Sequence, residues 1–322
     1  MWVKSMIRKP FALLLVLLLL WSAAGAAAEE EGAFPALNDA GFLDSGEFVF
    51  EDAENGVWRY ASETLRVEIY RREQKKPARV WYEAEVFCAE GSTGPRMIAN
   101  DAEHWKIAAS MEYPYKIARK NGTVLAVSSD FAQLRIQQKK SRPGIIIRDG
   151  TVLSDRTKKQ GVKDFPNLDC LAIWPDGDMK VYYSDEMTAE EYLAAGAADV
   201  LAFGPILIRD GELNEKALNQ YGTSHAQRTA VGMAEKGHYW FMMLEGRIKR
   251  SKGDGIRFLA EKLMEKGCTI GFNLDGGETA CIVFMGHQLC KLKDRKNLSS
   301  RRTSDILGVG TSELLPAVND PW

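Results

Sequence analysis

Asp275 and Glu278 stand three residues apart around the pair Gly276-Gly277, with Asn273 just ahead of them. Two carboxylates thus share one turn, and glycines without a Cβ let backbone amides come close to a ligand. The same residues equally suit a tight hairpin in which Gly276 takes φ > 0 and Asp275 closes an Asx-turn. Another carboxylate, Asp130, follows the apolar run Thr123 to Val127, and strand ends of this kind carry site chemistry or an ordinary turn with equal ease. Two further features suit an anion. Arg228 opens a strand, and a guanidinium can grip phosphate or carboxylate with two parallel hydrogen bonds, although an arginine there is more commonly a surface charge. The run Gly246 to Gly255 holds Arg247, Lys249, Arg250, Ser251 and Lys252 just before a helix. Loose amides at a helix N-terminus favour negative charge, whereas a solvated basic loop has the same composition.

The elements that must hold these groups follow from periodicity. Thr269 to Leu274 and Ala280 to Gly286 are apolar runs on either side of the acidic turn, so strand, polar turn, strand is the simplest arrangement. Ile256, Leu259, Ala260, Leu263 and Met264 mark one face of the preceding helix, which ends near Gly267. From Val57 the chain reads as β: Leu65, Val67 and Ile69 alternate with charged residues, and Val80 to Cys88 pairs with them across Lys75-Lys76-Pro77. A short echo follows. Gly144 to Gly150 and Pro205 to Gly211 each run an apolar strand into Arg-Asp-Gly, a hairpin signal that makes Arg148 and Arg209 turn-flanking surface residues. Cys170 to Trp174 and Met179 to Tyr183 are strands around the turn Pro175 to Asp178, and Thr188 to Glu191 is a capping box opening a helix to about Ala198. Asp101 to Ser110, with His104, has helical character; Asn214 to Ser224 reads as a polar loop. His238 to Leu244 is a strand paired with the one opened by Arg228, and Arg301 to Gly310 is a polar turn feeding a last strand. The whole predicts one α+β domain on a mixed, mainly antiparallel sheet with a few covering helices, over residues 58–312.

Ahead of it, residues 1–28 have the form of an export signal: Lys4, Arg8 and Lys9, then the apolar run Phe11 to Leu20, then Ala26-Ala27-Ala28. If uncleaved, the same segment would be a membrane anchor. Residues 29–57 read as a linker or loose arm and 313–322 as a loose tail. Removing the signal takes the formal charge from −2 to −5, which gives no support to nucleic-acid binding. Export would allow disulfides among the five cysteines, an odd number that leaves at least one unpaired; Cys268 and Cys281 read as buried thiols. No C-x-x-C pair occurs and the four histidines are scattered, so no zinc site is expected.

Several segments in fixed order carry a family likeness. They are Pro143 to Gly150, Phe203-Gly204-Pro205 leading into Arg209-Asp210-Gly211, Arg228-Thr229-Ala230-Val231-Gly232, Gly246-Arg247 with Ser251-Lys252-Gly253, Asn273-Leu274-Asp275-Gly276-Gly277 and Arg301-Arg302. In this order the chain resembles, from about Val57 to Gly310, the phosphodiester glycosidase family, that of the N-acetylglucosamine-1-phosphodiester alpha-N-acetylglucosaminidases. The resemblance implies a hydrolase that takes the sugar off a sugar-1-phosphodiester, with a phosphodiester-linked glycan of the envelope or extracellular space as its partner. A phosphomonoester leaves more readily than an alcohol, so less general-acid help is needed. On this reading Asp275 is nucleophile or general base, with Glu278 and Asp130 as candidates for a second carboxylate. Arg228 and Thr229 hold the phosphate, Ser251 and Lys252 line the anion side, Asn273 orients sugar hydroxyls, and amides at Gly276 and Gly277 stabilise oxyanions. No cofactor is required, although Asp275, Glu278 and Asp130 together could hold calcium. A weakly catalytic protein that binds glycan or anionic polymer on the same scaffold is the alternative. A phosphodiesterase breaking the phosphorus–oxygen bond would call for a metal cluster.

Overall fold

The computed structural model describes residues 32–101, 111–129, 144–157, 168–292 and 301–317. The helix expected around His104 lies outside the described residues, as does the signal segment. From Phe34 onward the chain forms one compact unit. Nine strands make the largest sheet, in the order β1 (Phe48–Asp52), β2 (Val57–Ala61), β3 (Leu65–Gln74), β4 (Arg79–Cys88), β15 (His238–Leu244), β14 (Arg228–Glu235), β16 (Ile270–Leu274), β12 (Ile206–Arg209) and β13 (Glu212–Leu213). A five-stranded sheet runs β10 (Met179–Tyr182), β9 (Asp169–Ile173), β11 (Asp199–Phe203), β7 (Gly144–Arg148) and β8 (Thr151–Arg156). A second runs β18 (His287–Gln288), β17 (Ile282–Phe284), β6 (Thr123–Ser128), β19 (Asp305–Thr311) and β5 (Arg96–Ala99). Every strand pair among the described residues is antiparallel. With short helices α1 (Pro114–Lys120), α2 (Ala189–Ala194), α3 (Glu215–Gln220) and α4 (Ile256–Glu265), the fold is α+β.

One core fills the space between sheets. Val67, Ile69, Tyr82, Phe241 and Phe272 of the large sheet meet Leu125, Val127, Phe284 and Leu307, together with Leu171 and Leu201. Alternation in β3 explains its share: Leu65, Val67 and Ile69 are buried while Arg66, Glu68 and Tyr70 are half-exposed. Strands β6 and β7 are buried along their full length, which is why they read as continuous apolar runs. On the other face of the large sheet, Ile256, Leu259 and Leu263 of α4 cover Ala230, Met242 and Leu244. Gly232 of β14 sets how near α4 can lie, since a Cβ there would sit 2.8 Å from both Leu263 Cδ2 and Cys268 Sγ.

Both Arg-Asp-Gly echoes form hairpin turns with two consecutive positive φ angles, Asp149 at 47° and Gly150 at 70°, Asp210 at 54° and Gly211 at 78°. They lie in different sheets, so the echo is a repeated turn and not a repeated domain. Three expectations are corrected. Residues 48–52, read as loose arm, form β1 on the edge of the large sheet, and Phe42 and Leu43 are buried. The polar loop from Asn214 contains α3, whose N-cap Asn214 accepts a hydrogen bond from Ala217 N; six residues are too few for periodicity to reveal. Arg148 is 8% exposed and ion-paired, whereas Arg209 is the expected surface residue, paired with Glu186.

Substituting Gly232→Val should lower the unfolding free energy by about 1–3 kcal/mol through overpacking, read as a shift of the urea midpoint with unchanged slope. An unchanged midpoint would mean that α4 does not rest on this contact.

Candidate active site

The acidic turn crosses from one sheet to another. Strand β16 is flanked on both sides, by β14 and β12, so β17 cannot pair with it and instead adds to β6. The tight hairpin is therefore not formed: Gly276 has φ −110°, Gly277 has φ 62°, and Gly277–Thr279 make a single 3₁₀ turn. Three hydrogen bonds pin the crossing. Asp275 N donates to Ser129 O at 2.9 Å, Ser128 Oγ donates to Asp275 O at 2.8 Å, and Gly277 N donates to Gln227 O at 3.0 Å. Asp275 thus stands where β6, β14 and β16 converge, with 6% of its surface exposed.

Arg228 comes to the same place. The position of a Gly276 Cβ would be 3.8 Å from Arg228 Cα and Cδ and only 2.8 Å from Gln227 O, so the turn lies directly against the start of β14. Most of the Arg228 fork is committed to loop carbonyls: Nε donates to Asp254 O, and Nη2 to Gly222 O and Ser224 O. Burial, and then the neighbouring charge of Arg247, pull its pKa below the ordinary guanidinium value. Arg247 itself is exposed, and so is Lys252. Arg250 turns away, into a bidentate pair with the fully buried Glu245. Asn273 Nδ2 donates to Gly204 O at 2.8 Å, and its buried Oδ1 has no hydrogen-bond partner among the described residues. Such a buried acceptor is an exception to the usual pairing of interior polar groups.

Other expected site residues fall elsewhere. Ser251 is fully buried, its hydroxyl donating to Glu245 O and accepting from Val80 N, so it anchors the basic loop and cannot reach a ligand. Thr229 is fully buried opposite Met243, on the sheet face that carries Val231 into the core. The Gly277 amide is committed to Gln227. Glu278 is exposed, its carboxylate 4.0 Å from Arg301 Nη2. Asp130 lies outside the described residues. Of the expected site residues, the structure brings the catalytic candidate Asp275 together with the binding candidates Asn273, Gly276 and Arg228.

Sequence reasoning missed the support beneath them. Asp305 at the start of β19 is fully buried; Ser129 Oγ donates to its carboxylate, and Arg148 donates to it through Nε at 3.1 Å and Nη2 at 2.9 Å. Arg148 Nη1 also holds Val200 O at 2.7 Å. Asp199, beside this pair, accepts from Met97 N and Asp149 N, and burial pushes its carboxyl up from the usual range. On the far side of Gly204, Asp169 Oδ2 accepts from Ile206 N at 3.0 Å, and a Gly204 Cβ would lie 2.9 Å from Asp169 Cβ. A carboxylate at the head of an apolar strand is the one sequence signal Asp169 and Asp199 offer.

The family model of the phosphodiester glycosidases matches residues 121–310. A curated relative, the SPbeta prophage-derived uncharacterized protein YomE of Bacillus subtilis (strain 168), is 25% identical over 153 residues, 47% of this chain and 23% of the relative. The chain therefore spans less than a quarter of that relative's length. Among solved structures, the zebrafish N-acetylglucosamine-1-phosphodiester alpha-N-acetylglucosaminidase catalytic domain, auto-inhibited by its pro-peptide, matches with TM-score 0.61 and 16% identity, over 78% of this chain and 85% of that one. A hypothetical protein from Synechocystis matches with TM-score 0.51 and 13% identity, over 77% of this chain and 62% of that one. At these identities the two structures speak to the fold alone.

Arg148→Ala would leave Asp305 buried with its charge uncompensated, at a cost of about 3–5 kcal/mol. The Arg148→Ala, Asp305→Ala double variant should recover part of that loss in urea titrations. A double-variant loss equal to the sum of the Arg148→Ala and Asp305→Ala losses would show that the two side chains act independently.

Proposed function

The chain belongs to the phosphodiester glycosidase family, and on that premise we propose that it hydrolyses a sugar-1-phosphodiester to a free sugar and a phosphomonoester. The observation that carries the reading is the docking of the Asp275–Gly276 turn against the start of β14, which brings the backbone of the buried Asp275 beside that of Arg228. Asp275 attacks the anomeric carbon or takes the proton of an attacking water. The bond from the anomeric carbon to the phosphate oxygen breaks, its electron pair leaves with the phosphate, and water supplies the hydroxyl of the free sugar. Arg228 and the exposed Arg247 face the negative charge that gathers on the departing oxygen, while Lys252 adds positive potential. The charge of Arg247, after burial, lowers the pKa of Arg228, and a bound anion would offset that repulsion. Asn273 Oδ1 accepts from a sugar hydroxyl, and the Gly276 amide remains available to an oxyanion. With an export-type segment at residues 1–28, the substrate is a glycan of the envelope or the extracellular space.

Because Asp275 is held through its backbone, Asp275→Asn should keep the fold and lower turnover of sugar-1-phosphodiesters by about 10³-fold or more. In ¹⁸O water the label should appear in the sugar and not in the phosphate. Label in the phosphate would make the protein a phosphodiesterase, and binding without products would make it a glycan-binding protein. Arg247→Gln, at an exposed position, should cut kcat/KM by about 10- to 100-fold with little change in Tm; an unchanged kcat/KM would remove Arg247 from the phosphate site.

A further inference from the structure

A small cavity of about 220 Å³ lies where the β2–β3 turn, the segment leading into β5 and the end of β19 meet. Ser62, Thr64, Thr93 and Thr311 bring hydroxyls to it. Among the lining residues Arg96 carries the one charge, and none has a carboxylate. The cavity is remote from the acidic turn. Asp305 begins β19 and Thr311 ends it, so at about 3.3 Å per residue the two lie roughly 20 Å apart.

Backbone contacts fix its frame. Ser62 Oγ accepts from Thr64 N at 3.3 Å and Leu65 N at 3.2 Å, and Ser62 N donates to Leu65 O, which closes the turn. Thr64 O accepts from Ala89 N at 2.9 Å and so ties the turn to the chain that leads to β5. Two glycines let the remaining walls approach. A Cβ at Gly94 would sit 2.5 Å from Gly177 Cα, and one at Gly310, where φ is 71°, would run into Leu65 Cδ2. On β5, Met97 N donates to Asp199 Oδ2 at 3.0 Å, which holds the strand that carries Arg96.

Ser62 is spent on that frame, but the other donors are not. Among the described residues the Arg96 guanidinium has no hydrogen bond, ion pair or ring partner, and the hydroxyls of Thr64, Thr93 and Thr311 have no hydrogen-bond partner. All four residues are exposed. Nearby carboxylates do not claim them: Glu47 accepts from Ser312 Oγ, and Glu63, in the turn itself, does not line the cavity. An oxyanion offers acceptors only, so a guanidinium fork and three hydroxyls match it donor for acceptor. We propose that this cavity is an oxyanion site, in which Arg96 pairs with a phosphate or sulfate group and Thr64, Thr93 and Thr311 donate to it. The group is a free inorganic anion or a phosphate carried on a sugar. The site stands apart from the reacting groups and does not rest on the hydrolytic reading.

The test is an amide-resolved nuclear magnetic resonance titration of the whole chain with inorganic phosphate and with sulfate, and circular dichroism confirms that each variant is folded. Either anion should move the Thr64, Gly94 and Gly310 signals to saturation, and sodium chloride at matched ionic strength should not. Arg96→Gln should weaken this binding by about tenfold or more, and Thr93→Val or Thr311→Val by about threefold. Arg247→Gln, beside the acidic turn, should leave these signals responding as before. An equal response to chloride, an affinity unchanged in Arg96→Gln, or a response lost in Arg247→Gln would overturn the site. Glucose-1-phosphate separates the two sources. Binding tighter than that of phosphate, with the same dependence on Arg96, assigns a sugar-borne group; binding no tighter assigns the free anion. Hydrolysis of a small sugar-1-phosphodiester should be unchanged in Arg96→Gln. Saturable binding that Arg96→Gln removes stands whether or not the chain turns over any phosphodiester, so the two readings fail separately.

Discussion

The three hydrogen bonds that pin residues 275–277 to the ends of β6 and β14 are the constraint on which the site depends. Strand β16 has no free edge, so the chain leaving it must cross to another sheet, and it can do so only where β6 ends. Ser128 and Ser129 meet it there, one through its hydroxyl and one through its carbonyl. Both are fully buried, so water does not compete for these bonds and Asp275 keeps one backbone position. The same crossing forces Gly276 against Gln227 O at a distance no Cβ tolerates, and that close approach brings Arg228 alongside.

Beneath the crossing lies a second tier that touches no reacting group. Ser129 Oγ donates to Asp305, and Asp305 accepts from Nε and Nη2 of Arg148. Arg148 in turn holds carbonyls of β7 and β11. A buried ion pair of this kind does little for net stability compared with well-packed apolar groups, yet breaking it is costly. Its consequence here is geometric: the end of β6 is fixed relative to the β7–β11 hairpin sheet, and Asp275 inherits that position. The basic loop is treated likewise. Glu245 pairs with Arg250 and Ser251 ties the loop to Val80, while Arg247, Lys249 and Lys252 are exposed along it.

Strands were legible wherever one face or both faces meet the core, as in β3, β6 and β7, because period-two alternation or a continuous apolar run is the direct imprint of burial. The paired Asp-Gly turns were legible because few residues accept two consecutive positive φ angles. Partnering between sheets was not. Asp275 and Gly276 look the same in sequence whether they close a hairpin or cross between sheets, since the difference lies in β14 and β12 occupying the edges of β16. Ser251 and Thr229 were misread for a related reason: a hydroxyl's direction depends on strand parity and on partners far along the chain, such as Val80. Arg148 shows the opposite error, since an arginine before a turn is ordinarily exposed and only the distant Asp305 draws it inward.

The segment Gly204 to Ile206 adds one further consequence. It is held from one side by Asp169 and from the other by Asn273, with Gly204 at φ 75° and no room for a side chain against Asp169. Asp169, Gly204 and Asn273 therefore form one connected layer, and a side chain added at Gly204 would displace its holds on both sides at once. Because β12 and β16 are neighbouring strands of one sheet, both holds are anchored in the same sheet, at the irregularity between Ile206 and Ile208.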